Sequence, residues 1–308
     1  MITVFTPTYN RAHTLNQLYQ SLLQQNCYDF EWLVINDGST DDTETLFNKW
    51  LEKENPFSIR YYAVKNGGKQ RAINQALQLA KGEYFFIVDS DDSLLPHAIT
   101  FIKNAFKSLP KDDSFIGISG IKGGLDGKPL HRTPSIDSTI GYVDANNLER
   151  MQYGLQADMA EAFFTEKIQK YTFSVWEGEN FTPEAVVWNQ MALDGYKLRW
   201  FNQVIYLCEY QEDGLTRSSW KLLKNNPMGY ALLFNILLKS TKGIKERINL
   251  TLQFISCCCI AKEYSYIKEC HSKALSLLLF PLGWLLSLRR QNQFKKYCHE
   301  KEESPFSY

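Results

Sequence analysis

Residues 82–92 read Gly-Glu-Tyr-Phe-Phe-Ile-Val-Asp-Ser-Asp-Asp, an apolar run that empties into three carboxylates within four positions. Side chains alternate across a strand and irregular backbone follows its end, so Asp89 and Asp91 can turn toward one point. Like charges held that close repel. A hard divalent cation with oxygen ligands relieves the repulsion and keeps coordination positions for a substrate phosphate. The same residues also suit an acidic turn that caps a helix starting near Leu94. Three more polar clusters follow apolar stretches: Thr6-Pro-Thr-Tyr-Asn-Arg, Asn36-Asp-Gly-Ser-Thr-Asp, and Asn66-Gly-Gly-Lys-Gln-Arg. They offer hydroxyls and an aromatic (Thr6, Thr8, Tyr9), a carboxylate (Asp37) and a cation (Lys69 or Arg71). An aromatic can stack on a base, a carboxylate can accept from a base N–H or a ribose hydroxyl, and a cation can meet a phosphate oxygen. The set therefore fits a nucleoside diphosphate. Taken singly, Asp37 is also a common turn former, Tyr9 a cover for a sheet edge, and Lys69 a solvated side chain at a helix start. No Gly-x-Gly-x-x-Gly follows the first apolar stretch, which argues against a dinucleotide held by backbone amides.

What must position these residues is a series of strand–turn–helix units. Residues 2–6 read as a buried strand, followed by a helix with Leu15, Leu18, Leu22 and Leu23 on one face. Trp32–Ile35 and Ile59–Val64 read as further strands, each with a helix after it, the latter carrying Ile73, Ala76, Leu77 and Ala80 and ending at Gly82. The strand before the acidic cluster is the fourth. Strands alternating with helices imply an α/β fold with a parallel, doubly wound sheet, whose ligands sit beyond the carboxyl ends of the strands. Each polar cluster lies at that edge. Farther on, Phe115–Ile121 and Leu198–Cys208 read as strands, the segment through Thr133 and Pro134 as a hairpin or loop excursion, and Pro183–Leu193 as a helix with Pro in its first turn.

The four clusters, including Asn66 to Asn74 and Asp89-Ser-Asp-Asp, resemble the family 2 glycosyltransferases of the GT-A fold, over roughly the first 215 residues. The resemblance implies a Rossmann-like, mostly parallel sheet flanked by helices, with Mg²⁺ or Mn²⁺ on Asp91 and with Asp89 and Ser90 beside the ribose and diphosphate. It implies further that Pro7, Tyr9, Asp37 and Lys69 line the nucleotide pocket. Two positions depart from the family pattern: Asn36, where many members carry Asp, and Ile73, where many carry Arg. The family's acidic pair before a later helix has become Pro183-Glu184; counting back from Gln190 puts Glu184 on the general base, with Glu177 and Glu179 as spare candidates. The implied activity is inverting, metal-dependent transfer of a sugar from a nucleotide sugar, a UDP-sugar foremost. The implied acceptor is a hydroxyl of a glycan or a polyprenyl-linked glycan. A nucleotidyltransferase shares the sheet and acidic site, but no Gly-rich, Arg- and Lys-containing loop follows the first strand to hold a triphosphate. A catalytically inactive sugar-nucleotide-binding or scaffold protein is the other alternative, on the Pro-Glu and Ile73 departures.

The 308 residues suffice for two domains, read here as 1–215 and a helical, Leu- and Lys-rich 216–308. Lys plus Arg equals Asp plus Glu at 34 each, which argues against a general nucleic-acid binder. Seven cysteines, an odd number without Cys-x-x-Cys spacing, and an N-terminus without a signal-peptide pattern point to a cytoplasmic chain. Residues 274–286 are very apolar yet shorter than the ~20 residues a membrane span needs, and Arg289, Arg290, Lys295 and Lys296 follow. That pattern suits an interfacial helix on anionic lipid at the inner face of a cell membrane, or a helix packed on protein.

Overall fold

The computed structural model describes residues 1–130, 136–137, 139–155, 158–208 and 219–302. The chain forms two compact units, Met1–Phe173 with Met191–Gln211, and Ser174–Gln190 with Glu212–Tyr308. Residues 174–190, assigned from the sequence to the first domain, thus group with the C-terminal part.

In the first unit, β1 (Ile2–Thr8), β2 (Phe30–Asn36), β3 (Ser58–Ala63) and β4 (Tyr84–Ile87) alternate with α1 (Ala12–Leu23), α2 (Thr43–Leu51) and α3 (Lys69–Leu79). They pair in parallel in the order β3-β2-β1-β4. Every residue of β1 and β2 is buried, as expected of strands covered on both faces. The helices seal one face with aromatic rings: Tyr19 stacks on Trp50 at 4.4 Å and on Trp32 at 6.0 Å between centroids. Such rings bury large areas in preferred offset geometry. Pro7 is tolerated inside β1 because it sits past the end of β4's ladder. Phe5 accepts Val88 N–H on that side, and residue 7 faces the same way.

Beyond β4 come β5 (Ser93–Leu94), α4 (Ala98–Lys107), β6 (Phe115–Gly123), β7 (Tyr142–Ala145), β8 (Met159–Phe164), α5 (Thr165–Ile168), α6 (Ala185–Leu193) and β9 (Lys197–Leu207). The sheet continues β4-β8-β6-β9-β5, with β7 also on β9. Strand β8 runs antiparallel to both β4 and β6, while β6 and β9 are parallel. No helix starts at Leu94. Ser93 and Leu94 instead pair with Leu207 and Tyr206, and α4 begins only after Pro96, which disfavours helical backbone at the residue before it. The turn between Gly123 and Pro129 is a short hairpin, closed by Gly124 N–H to Lys128 O at 2.9 Å. Thr133 and Pro134 lie outside the described residues.

The second unit is helical: α7 (Ser219–Asn225), α8 (Pro227–Ser240), α9 (Ile244–Ala261) and α10 (Lys273–Glu302). Its core joins Met228, Leu238, Phe254 and Ile255 with the thiols of Cys257, Cys258, Cys259 and Cys270. Burial raises the pKa of each of these thiols, so they pack as small apolar groups.

Candidate functional site

The turns after β1, β2, β3 and β4 meet at one sheet edge in the first unit, tied to each other by side chains. Asn10, in left-handed backbone at φ 53°, donates its N–H to Ser39 Oγ at 2.9 Å and accepts Thr40 N–H at 2.8 Å. Asp41 accepts Ala12 N–H at 2.9 Å, satisfying one open donor at the start of α1. Gly38 takes φ 77° and passes so near the third turn that a Cβ would lie 2.8 Å from Asn66 N. Only glycine meets both demands.

Asp37 is almost fully buried, and its two carboxylate oxygens accept Gly67 N–H at 2.7 Å and Gly68 N–H at 2.8 Å. Burial raises its pKa against the pull of those two bonds. The residue expected to meet the nucleotide thus also clamps the turn that presents Lys69. Asn36, one of the two departures, is buried and donates to Tyr61 Oη at 2.6 Å while accepting Ser39 N–H. Arg71 turns back to donate to Gly67 O. Lys69 reaches across the edge, its Nζ 2.6 Å from Asp89 Oδ1.

The acidic turn divides its work among its members. Burial alone would raise the Asp89 carboxyl, but Lys69 and Lys122 hold it below the usual carboxylate range. Asp91 goes the other way: burial and the negative charge of Asp89 push it up, against Arg11, whose Nε lies 3.9 Å away. Ser90 is buried and its carbonyl accepts Thr14 Oγ1 at 3.0 Å, fastening the turn to α1. Asp92 caps no helix. It accepts the Tyr206 hydroxyl at 2.6 Å, and the same Tyr206 oxygen accepts Asp89 N–H at 2.9 Å. Lys122 Nζ stands over the Tyr206 ring at 4.5 Å, and Asp89 and Asp92 raise its pKa although burial works to lower it.

Tyr206 and Lys122 were not singled out in the sequence. Their one signal was polarity near the ends of apolar strands, at Ile121-Lys122 and Ile205-Tyr206. Tyr206→Phe is expected to leave a buried carboxylate and a backbone N–H short of a partner. The cost is about 1–3 kcal/mol of stability, read by denaturant unfolding, with weaker nucleotide binding alongside.

Among the described residues no group of three His, Cys, Asp or Glu side chains is disposed to cage a metal. A Mg²⁺-type site does not require one. Such ions bind through one or two carboxylates and complete their shell on substrate phosphates and water. Asp91, partly exposed, raised by burial and by Asp89 and only loosely paired with Arg11 at 3.9 Å, has the hard oxygen donor that suits this arrangement. Two buried polar groups at the same edge lack hydrogen-bond partners, the Thr8 hydroxyl and the Gln70 amide at the start of α3. Buried polar atoms are ordinarily satisfied, so these have capacity for a ligand or water. Tyr9 leaves 49% of its surface exposed just past β1.

In the second unit, Glu184 stands immediately before α6, its carbonyl accepting Val187 N–H at 2.9 Å and Trp188 N–H at 3.1 Å. The helix thus begins two residues later than Pro183 suggested, with Glu184 at its positive end. Glu179 is used structurally. Its buried carboxylate accepts Met228 N–H at 2.7 Å and Gly229 N–H at 2.9 Å, capping α8, while Glu177 is exposed. A side chain at Gly229 would strike Phe181 O at 2.5 Å, which keeps that cap tight. Glu179→Ala is expected to cost about 1–3 kcal/mol through the stranded amides, visible as a lowered Tm.

The sequence profile of glycosyl transferase family 2 matches residues 3–171, more than half of the chain. Chondroitin synthase of Pasteurella multocida is 38% identical over 106 residues, 34% of this chain but only 11% of that protein. The crystal structure of S. aureus TarS 1-349 in complex with UDP-GlcNAc superposes with a TM-score of 0.57 at 15% identity, covering 95% of this chain and 91% of the other. The mannosyltransferase PcManGT from Pyrobaculum calidifontis, in complex with GDP-Man and Mn²⁺, gives 0.55 at 19% identity over 95% of this chain and 82% of its own. At such identities these likenesses show the fold, and it is the GT-A arrangement expected from the four turns.

Proposed function

The chain belongs to glycosyl transferase family 2, and from that membership we propose that it moves one sugar from a nucleotide sugar, a UDP-sugar in this reading, to a hydroxyl of a glycan or lipid-linked glycan, inverting the anomeric centre. The observation that carries the proposal is the sheet edge itself. The turns after four consecutive parallel strands are cross-tied there, with Lys69 on Asp89, a partly exposed Asp91, and unpartnered polar groups at Thr8 and Gln70.

In this reading Tyr9 offers a face to the base, and Thr8 and Gln70 supply hydrogen bonds to the nucleotide. Lys69 shares its ammonium between Asp89 and a phosphate oxygen. Asp91, with Asp89 beside it, would hold Mg²⁺ or Mn²⁺, which when bound offsets the charge gathering on the departing diphosphate. Glu184 takes the acceptor hydroxyl proton. The acceptor oxygen then bonds to the anomeric carbon on the face opposite the bond to the diphosphate oxygen, which breaks and leaves as the nucleoside diphosphate.

The test is release of nucleoside diphosphate from a panel of UDP- and GDP-sugars with Mn²⁺, with and without glycan acceptors. UDP release that rises with an acceptor supports the reading. Pyrophosphate release from UTP would replace it with nucleotidyl transfer, and donor binding without turnover across the panel would leave a binding protein.

A further inference from the structure

We propose that the exposed face of α10 seats this chain on an anionic lipid bilayer. From Leu277 to Leu288 the helix turns outward Leu277 and Leu278, three-quarters exposed, together with Leu282, Trp284, Leu285 and Leu288, each more than a third exposed. Single exposed leucines are ordinary, whereas a contiguous apolar row marks a contact surface. The back of the helix is already occupied. Ser276, Gly283 and Ser287 are buried, and a Cβ on Gly283 would lie 2.5 Å from Ile255 of α9.

The width of the face identifies what covers it. At about 100° per residue, the exposed apolar side chains, with Phe280 and Pro281 among them, spread over an arc of about 200°. A helix packing on another protein element presents a stripe nearer 100° wide. A fluid hydrocarbon surface covers the whole arc. Charge then selects the kind of bilayer. No Asp or Glu occurs from Lys273 to Lys296, and Arg289, directly after Leu288, and Lys295 and Lys296, about two turns on, are exposed on the same side of the helix. A second copy of this face fits poorly. Side by side in parallel it would set these cations against each other, and antiparallel it would lay them on leucines.

Length limits the depth. Leu277 to Leu288 spans about 18 Å, against about 30 Å for the hydrocarbon core. No helix among the described residues is long and apolar enough to cross a membrane. The contact is therefore with one leaflet, with Trp284 in the headgroup zone such rings prefer and the basic turns on lipid phosphates. This surface stands on the second unit alone and does not depend on the transfer reaction.

Sedimentation of the full chain with vesicles tests it. Phosphatidylcholine vesicles containing phosphatidylglycerol should carry down at least about tenfold more protein than phosphatidylcholine alone, with the difference fading at high salt. Leu278→Ser/Leu282→Ser/Leu285→Ser should abolish sedimentation, and Lys295→Glu/Lys296→Glu should remove the preference for anionic lipid. Lipids brominated in the acyl chain should quench tryptophan fluorescence in the wild type and much less in Trp284→Phe. These positions are exposed, and unchanged circular dichroism checks that the variants fold. Absence of binding to anionic vesicles, or binding that the triple serine variant retains, overturns the proposal. A concentration-dependent dimer that vesicles do not dissociate and the triple variant does would assign the face to a second copy instead.

Discussion

Asp91→Asn should lower sugar transfer by about a hundredfold or more, since removal of one group that stabilises developing charge typically costs that much. It should also abolish the part of donor binding that depends on Mn²⁺, a readout independent of turnover. The physical basis is local: Asp91, raised by burial and by Asp89, has the longer 3.9 Å pairing with Arg11, while Lys69 engages Asp89 at 2.6 Å and Tyr206 engages Asp92 at 2.6 Å. Asparagine keeps the shape and removes the charge, so a change in Tm should be small. Full activity of the wild type in excess chelator would overturn the metal role. Equal donor affinity of the wild type and Asp91→Asn in Mn²⁺ would move that role away from Asp91.

Glu184→Gln separates binding from chemistry. A positioned general base contributes about 10²–10⁴ in rate, so transfer should fall by that order while calorimetric affinity for UDP stays near the wild-type value. Glu177→Gln, at an exposed position, is the matched control and should leave transfer unchanged. Loss of turnover in Glu177→Gln with an unchanged Tm would transfer the base to that residue. Glu179 is a different case. Any activity lost on its substitution should accompany lost stability, because both its oxygens hold the amides that open α8.

The parallel half of the sheet was legible because β1, β2 and β4 are mostly apolar runs and its helices carry clean stripes, as Leu15, Leu18 and Leu22 on α1 show. Where pairing was non-local the reading faltered. The acidic turn also suits a helix start near Leu94, yet Ser93 and Leu94 form a strand because Leu207 and Tyr206, more than a hundred residues away, supply their partners. The same separation hid Tyr206 and Lys122. Neither has a local motif, and each gains its meaning only when β6 and β9 lie side by side near β4.

The amino-acid sequence by itself determined which chemistry was assembled: carboxylates, a lysine and an exposed aromatic at the ends of successive strands, spaced by the short-range rules of strand, turn and helix. Tertiary structure alone decided the division of labour. Asp89, Asp91 and Asp92 are the same side chain within four positions, and spacing cannot tell them apart. Their differences come from Lys69, Arg11 and Tyr206, which reach them across the sheet edge from three other elements. Charge and burial act through space, so identical residues acquire different tasks only once the chain has brought their neighbours to them.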